Sequence, residues 1–338
     1  MQKKAVLRLS DGTQFEGYAF GHTGVASGEI YFDTTMIGYT EVLTDPVYKG
    51  KLLTLTYPII GNYGMPKMDL WESETIQPAG IIVHDYTEKY SHWNAVESLS
   101  DTMKREKVVG IYGIDTHILA QKIASTPNLT GQIVPVNSSE NAIEIVKAGQ
   151  PKEPKYIDQK AEKTILMIDL GANKTFVQTF VDSGINIIKV SGTEDFSMLD
   201  FDGIVISNGY GEAADYPEVL NLIKASMEKD IPVYGCGIGY DLMAEAVGIH
   251  NTPILPAHRS LGQPVIQNGT NSCFITRMSH GSAIDTNSLP SNWRAYFTHL
   301  NSKCNAGFIH ENGRYVATTF QPDNGETRFI IDHFISNL

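Results

Sequence analysis

Ile231-Pro232-Val233-Tyr234-Gly235-Cys236-Gly237-Ile238-Gly239-Tyr240-Asp241-Leu242-Met243-Ala244-Glu245 decides the fold of the second half of the chain. A short apolar run (231–234) predicts a strand, and the run from Tyr240 predicts a helix. Between them glycines stand two before and two after Gly237, the layout of a nucleophile elbow. At such an apex the backbone is strained and the side chain is exposed above the sheet. The glycines let strand and helix pack closely, and the helix N-terminus favours negative charge. Here the apex is Gly237, which has no side chain and tolerates that backbone best. The turn can therefore persist while the chemistry is absent. Cys236 lies one residue off the apex, which rotates its thiol away from the exposed direction and makes it a small buried thiol.

Upstream, Thr164-Ile165-Leu166-Met167-Ile168 is a continuous apolar run, the mark of a strand buried on both faces. A helix-length segment ends near Gly184, strands are expected at 185–188 and 203–206, and a helix at 217–229. Alternating β and α elements predict a mostly parallel sheet with helices on both faces. An amphipathic helix is expected over 326–338. The first part reads differently. Asp11-Gly12 between two alternating runs predicts a hairpin. Strand-like runs follow at 29–32, 52–56 and 80–83, with helices near 95–106 and 116–123, an α+β pattern. Residues 147–163, with Pro151, Pro154 and many charges, read as a linker. The expected organisation is a domain at 1–146, the linker at 147–163 and a second domain at 164–338.

The 338 residues are 42% apolar and 19% charged, ordinary globular values. The formal net charge of -12 argues against nucleic acid and anionic membrane as partners. No stretch approaches the roughly 18 apolar residues of a membrane span, and Arg8 and Asp11 interrupt any signal-like start. Three scattered cysteines, Cys236, Cys273 and Cys304, suggest reduced thiols in a cytoplasm. No cofactor and no metal is expected, because the ten histidines show no ligand spacing. Gly235-x-Gly237 lacks the third glycine and the later acid of a dinucleotide fingerprint. Gly171-Ala172-Asn173-Lys174-Thr175 resembles the end of a P-loop but lacks its glycines. ATP chemistry, if any, would belong to a partner.

Longer stretches identify a family. Met36-Ile37-Gly38-Tyr39-Thr40-Glu41-Val42-Leu43-Thr44-Asp45-Pro46, with Gly28-Glu29 before it, resembles the N-terminal domain of the carbamoyl-phosphate synthetase small subunit. So do Leu55-Thr56-Tyr57-Pro58-Ile59-Ile60-Gly61-Asn62-Tyr63-Gly64 and Gly113-Ile114-Asp115-Thr116. The second half is similar to that family's class I glutamine amidotransferase domain, with Ser207-Asn208-Gly209-Tyr210-Gly211 standing for SNGPG. The resemblance implies an α/β protein: an N-terminal α+β small-subunit domain, then an amidotransferase-like domain. It also implies a large synthetase subunit as partner. In the family an elbow cysteine attacks the glutamine amide, served by a histidine and a glutamate in a late F-Q-G-H-P-E motif.

This sequence departs from the family at those positions. The nucleophile position is Gly237, and the late motif reads Phe320-Gln321-Pro322-Asp323-Asn324-Gly325. The base position is then Asp323 and its orienter Gly325. His333 matches a helix residue of the family and is assigned to packing. Among the positions the resemblance assigns to the substrate pocket are Val47, where the family has serine, and Gly209, Tyr210, Gly211 and Ile238. The others are Asp241, where it has glutamine, and Ser279, His280 and Gly281. A structural role is expected for His280.

The reading expected from these departures is a degenerate member, a pseudo-glutaminase docking on a large subunit. One alternative is a small-molecule-binding module in the old pocket, using Tyr210, Tyr240, Asp241, Arg259 and His280. The other is a glutamine-hydrolysing subunit using Cys236 with a histidine such as His258 or His280. Arginine and pyrimidine pathways both remain open.

Overall fold

The computed structural model describes residues 3–136, 154–192 and 199–338, and the chain divides into two compact units, Met1–Ala148 and Gly149–Leu338. Of the expected linker, residues 147–153 lie outside the described residues. Its later part includes the strand Lys155–Ile157, paired antiparallel with Asn186–Val190.

The first unit is built on a closed barrel of seven strands. The hairpin at Asp11-Gly12 joins Lys4–Leu9 to Gln14–Gly21, with Gly12 at φ 88°. Leu52–Ile60 lies parallel to both Ala26–Asp33 and Gly80–Tyr86. Thr130–Pro135 closes the barrel against Lys4–Leu9. Leu7, Ile30, Leu52, Ile82, Ile111 and Ile133 fill its core. The helix expected at 95–106 is shorter. Ala95–Glu97 is a strand, and Ser98 caps Leu99–Arg105 by accepting from the Asp101 N–H. That short polar side chain supplies the partner the first turn lacks, so the helix begins there.

The second unit is one sheet of eleven strands. At its centre Asn186–Val190, Thr164–Ile168, Gly203–Ile206, Val233–Cys236 and Tyr315–Thr318 run parallel, as the βα alternation predicts. Antiparallel strands extend it, dominated by the long pair Asn251–Gln267 and Cys273–Ile284. This ribbon is interrupted by prolines, glycines and register shifts, and its mixed pattern gives no clear period in the sequence.

Side chains alternate across the central strands. Leu166, Ile168, Ile204, Ile206 and Val233 face one side, with Val219, Ile223, Tyr240 and Met243 from helices Pro217–Glu228 and Ile238–Ala246. Ile165, Met167, Val205, Tyr234 and Cys236 face the other, with Phe176 and Phe180 from Lys174–Val181 and Ile330, Ile331 and Phe334 from Arg328–Ser336. Asn173 caps the helix Lys174–Val181 and its amide donates to Gln321 at 2.7 Å. The Gly171-to-Thr175 stretch is thus a helix start. His333 bonds the Gly313 carbonyl at 2.8 Å, which ties the last helix to a turn. Among the described residues no helix is long and apolar enough to cross a membrane, and no group of three or more His, Cys, Asp or Glu side chains could hold a metal ion.

Phe334 is 1% exposed and packs beside Tyr234. Phe334→Ala should cost about 3–5 kcal/mol, because the site cannot collapse around a lost ring. Urea unfolding monitors this, and an unchanged midpoint would show that the C-terminal helix does not help to hold the sheet.

Candidate functional site

The elbow forms where the sequence places it. Val233–Cys236 lies between two parallel strands, so its backbone direction is fixed up to Gly237. Gly237 then turns at φ 58° and ψ -113°, and the helix Ile238–Ala246 begins at the next residue. An L side chain is strained at that φ, and glycine is not. The Gly237 N–H donates to the Thr318 carbonyl at 2.9 Å, and its own carbonyl accepts from Tyr240 N–H at 2.9 Å. The flanking glycines are needed for contact. A Cβ on Gly235 would meet the Gly239 carbonyl and, at 2.8 Å, the Met243 sulfur; one on Gly239 would lie 2.7 Å from the Ile206 carbonyl.

The space above the apex is filled by Asn208. A Cβ built on Gly237 falls on the Asn208 carboxamide, with the Asn208 Cβ only 2.9 Å away. The Asn208 carboxamide oxygen accepts from the Gly209 N–H at 2.9 Å and from the Ile238 N–H at 3.4 Å. The loop holding it is anchored: Ser207 Oγ accepts from Leu170 N–H at 3.0 Å and donates to the Asn208 carbonyl at 2.7 Å. Gly209 is required here, since a Cβ would fall on the Leu170 carbonyl, and Gly211 sits at φ 92°. The Tyr210 ring lies against Gly171, where a Cβ would meet it at 3.3 Å. Its carbonyl accepts from Tyr216 OH at 2.7 Å.

Cys236 is 0% exposed and faces the other side of the sheet. Its thiol donates to the Phe320 carbonyl at 3.4 Å, the same oxygen that accepts from Thr318 Oγ at 2.8 Å. Asp323 is held in its own turn. Its carboxylate accepts from Gly325 N–H at 3.0 Å and from Thr327 Oγ at 2.8 Å. Asn324 bridges Asp182 and Arg328, each at 2.7 Å. These bonds hold Asp323 and Asn324 in place. Val47 belongs to the first unit, buried in the turn Pro46–Tyr48, where its N–H donates to Asp45 at 3.1 Å.

Asp241, His280 and Ser282 meet on the elbow-helix side. Ser282 Oγ donates to Asp241 at 2.7 Å. His280 Nε2 lies 3.2 Å from Ser282 Oγ and 3.5 Å from the Asp241 carboxylate. His280 Nε2 thus faces the serine hydroxyl and the aspartate carboxyl together. Serine and acid crowd one imidazole nitrogen, whereas a nucleophilic relay holds them on different nitrogens. Tyr240, 0% exposed, stands edge-on to His280 and donates to Asn305 at 3.1 Å. The strand partners His258↔His280 and Arg259↔Ser279 bring Arg259 beside Gly281, where a Cβ would meet its guanidinium at 3.4 Å. Ser279 Oγ is buried without a hydrogen-bond partner among the described residues. His258 stacks on His299 at 3.8 Å.

Burial governs the protons here. It pushes the Asp241 carboxyl up to about 7, against the pull of the Ser282 bond. Burial and the nearby Arg259 push His280 down to about 3. Burial, then His299, His280 and Arg259, push His258 down to about 4. Asp241 and His280 are thus both held toward neutrality, so this contact is a hydrogen-bonded pair and only nominally an ion pair. Sequence reading gives Asn208 and Ser282 no role. Asn208 lies in the quoted 207–211 stretch, but only the turn geometry shows where its amide points.

The folded state keeps the Asp241 proton to about pH 7, while the unfolded chain releases it near the ordinary 3.8. The stability this gives is full at low pH and lost as pH rises toward 7. His280 acts in the opposite sense, losing stability as pH falls below about 6.5. Asp241→Asn removes only the first effect. Its stability relative to wild type should therefore rise by roughly 2 kcal/mol between pH 5 and pH 8. A difference that stays constant in denaturant titrations at the two pH values would show that the carboxyl is not raised.

Residues 7–133 match the family model for the carbamoyl-phosphate synthase small chain, CPSase domain, and residues 166–335 match glutamine amidotransferase class-I. The carbamoyl phosphate synthase arginine-specific small chain of Candida albicans is 33% identical, over 99% of this chain and 85% of its own. That of Chaetomium globosum is also 33% identical, over 99% and 78%. The mitochondrial carbamoyl-phosphate synthase (ammonia) of Aquarana catesbeiana is 35% identical over 98% of this chain, but only 24% of that protein is covered. The chain spans between 15% and 24% of the length of such longer relatives. The chain belongs to the carbamoyl-phosphate synthase small-chain family, with that family's small-chain domain ahead of a class-I glutamine amidotransferase domain.

Proposed function

We propose that this chain is a carbamoyl-phosphate synthase small subunit without glutaminase chemistry, a pseudo-glutaminase that docks in the cytoplasm on a large synthetase subunit through its first unit. The observation that carries this reading is the apex. A glycine holds the φ and ψ of an elbow, and no side chain stands there to attack an amide. Asp323, at the position where the family has its base, is tied into a local turn. A carboxylic acid, Asp241, replaces the neutral amide that the family presents to substrate. Partnership with a large subunit is supported by the names of the fungal relatives, each a small chain, and by the much greater length of the frog relative. That relative's name specifies ammonia, and a complex lacking glutamine hydrolysis would use ammonia directly.

Cys236 as a substitute nucleophile is disfavoured by its burial among Tyr234, Phe320 and Phe334 on the far face of the sheet. The thiol is fully buried there and donates to the Phe320 carbonyl, away from the apex. A ligand module in the old pocket is disfavoured by the mutual hydrogen bonds of Asp241, Ser282 and His280, which satisfy one another without a guest.

The test mixes the full chain with the large synthetase subunit of the same genome. The two should co-elute, and the complex should make carbamoyl phosphate from ammonium and none above background from glutamine. Failure to form a complex would contradict the docking reading. Synthesis from glutamine at a rate comparable to ammonium would contradict the loss of chemistry.

A further inference from the structure

We propose that the Asn208 carboxamide is an internal ligand that occupies the oxyanion cradle of the elbow, so that the site is closed as well as unarmed. This inference deepens the pseudo-glutaminase reading and rests on it. In an elbow, the N–H of the residue after the apex is one of the donors that stabilise the developing oxyanion. Here that donor is Ile238 N–H, and it points at Asn208 Oδ1 together with Gly209 N–H, at 3.4 and 2.9 Å. One amide oxygen thus sits where two main-chain donors converge. Asparagine carries the same functional group as the glutamine side chain. The chain presents its own amide to the donors that a substrate amide would need.

The occupancy follows from the missing side chain. With any Cβ at position 237, Asn208 Oδ1 and Cγ could not remain where they are, and Asn208 Cβ would be 2.9 Å away. Rotating the asparagine does not move its own Cβ, so the main chain at 208 would have to shift as well. The loop has settled into the volume a nucleophile would take. Two part-buried N–H groups, those of Gly209 and Ile238, find an acceptor in the process. Restoring a thiol at the apex alone would set it against Asn208.

The experiment uses the full chain and a double-mutant cycle. Gly237→Ala should lower the Tm by several degrees, through the clash and the strained φ. In an Asn208→Gly background the same substitution should cost less; the φ strain is common to both backgrounds and cancels in the difference, which reports the clash with Asn208 alone. In parallel, spectra of protein labelled with 15N at isoleucine and glycine report the Ile238 and Gly209 amides. Asn208→Gly, or Asn208→Ala if the former does not fold, should move both upfield. Asn208→Asp, which keeps the acceptor, should leave them hydrogen-bonded. Glutamine added to the wild type should not move them. Equal Tm penalties in the two backgrounds, unmoved amides in the Asn208 variants, or movement with glutamine would each overturn the proposal. None of these readouts depends on catalysis. Glutamate release by the wild type would instead count against the pseudo-glutaminase reading, so the two ideas fail separately.

Discussion

The second unit depends on a close approach of main chain to main chain at one turn. The strand Val233–Cys236 is held between parallel neighbours, and the helix Ile238–Ala246 must pack back on it immediately. Only residues without a Cβ allow this at 235 and 239, where the Gly239 carbonyl and Met243, and the Ile206 carbonyl, fill the available space. The strained φ at 237 is a consequence of the same closeness. An elbow that carries a nucleophile must bear that strain with a side chain in place, stabilised by its surroundings. Glycine bears that backbone without strain, so the turn keeps its shape with no side chain at its apex.

The alternation of the central strands explains why the neighbouring cysteine does not fill the gap. Tyr234 and Cys236 point together toward the C-terminal helix, and Val233 points to the elbow-helix side. A one-residue change of register would be needed to bring the thiol to the apex, and it would exchange every side chain of the strand between two packed cores. On the elbow-helix side Asp241, Ser282 and His280 meet one another. Burial drives Asp241 and His280 in this cluster toward neutrality. Asn208 adopts the two donors at the apex.

Much of this was legible in the sequence because it is local. The Asp11-Gly12 hairpin, the apolar strand at Thr164–Ile168, the helix after Pro217 and the glycine spacing of the elbow each rest on a few consecutive residues. The absence of a side chain at 237 needs no structure at all. The ribbon Asn251–Gln267 and Cys273–Ile284 was not legible, because prolines and register shifts break its period. The strand at Ala95–Glu97 was hidden because its residues also suit a helix, and the Ser98 cap decides the boundary. The role of Asn208 and the Asp241–Ser282–His280 cluster depend on residues about 30 to 40 positions apart, and only the folded sheet brings them together.

The proposed loss of glutaminase chemistry means that no group in this chain attacks a glutamine amide. Its most direct test is glutamate release from glutamine by the purified full chain, beside a Cys236→Ala variant and with the large subunit present or absent. No release above the buffer blank is expected under any of these conditions. Release by the wild type that disappears in Cys236→Ala would contradict it, and would mean that the buried thiol reaches the apex after all.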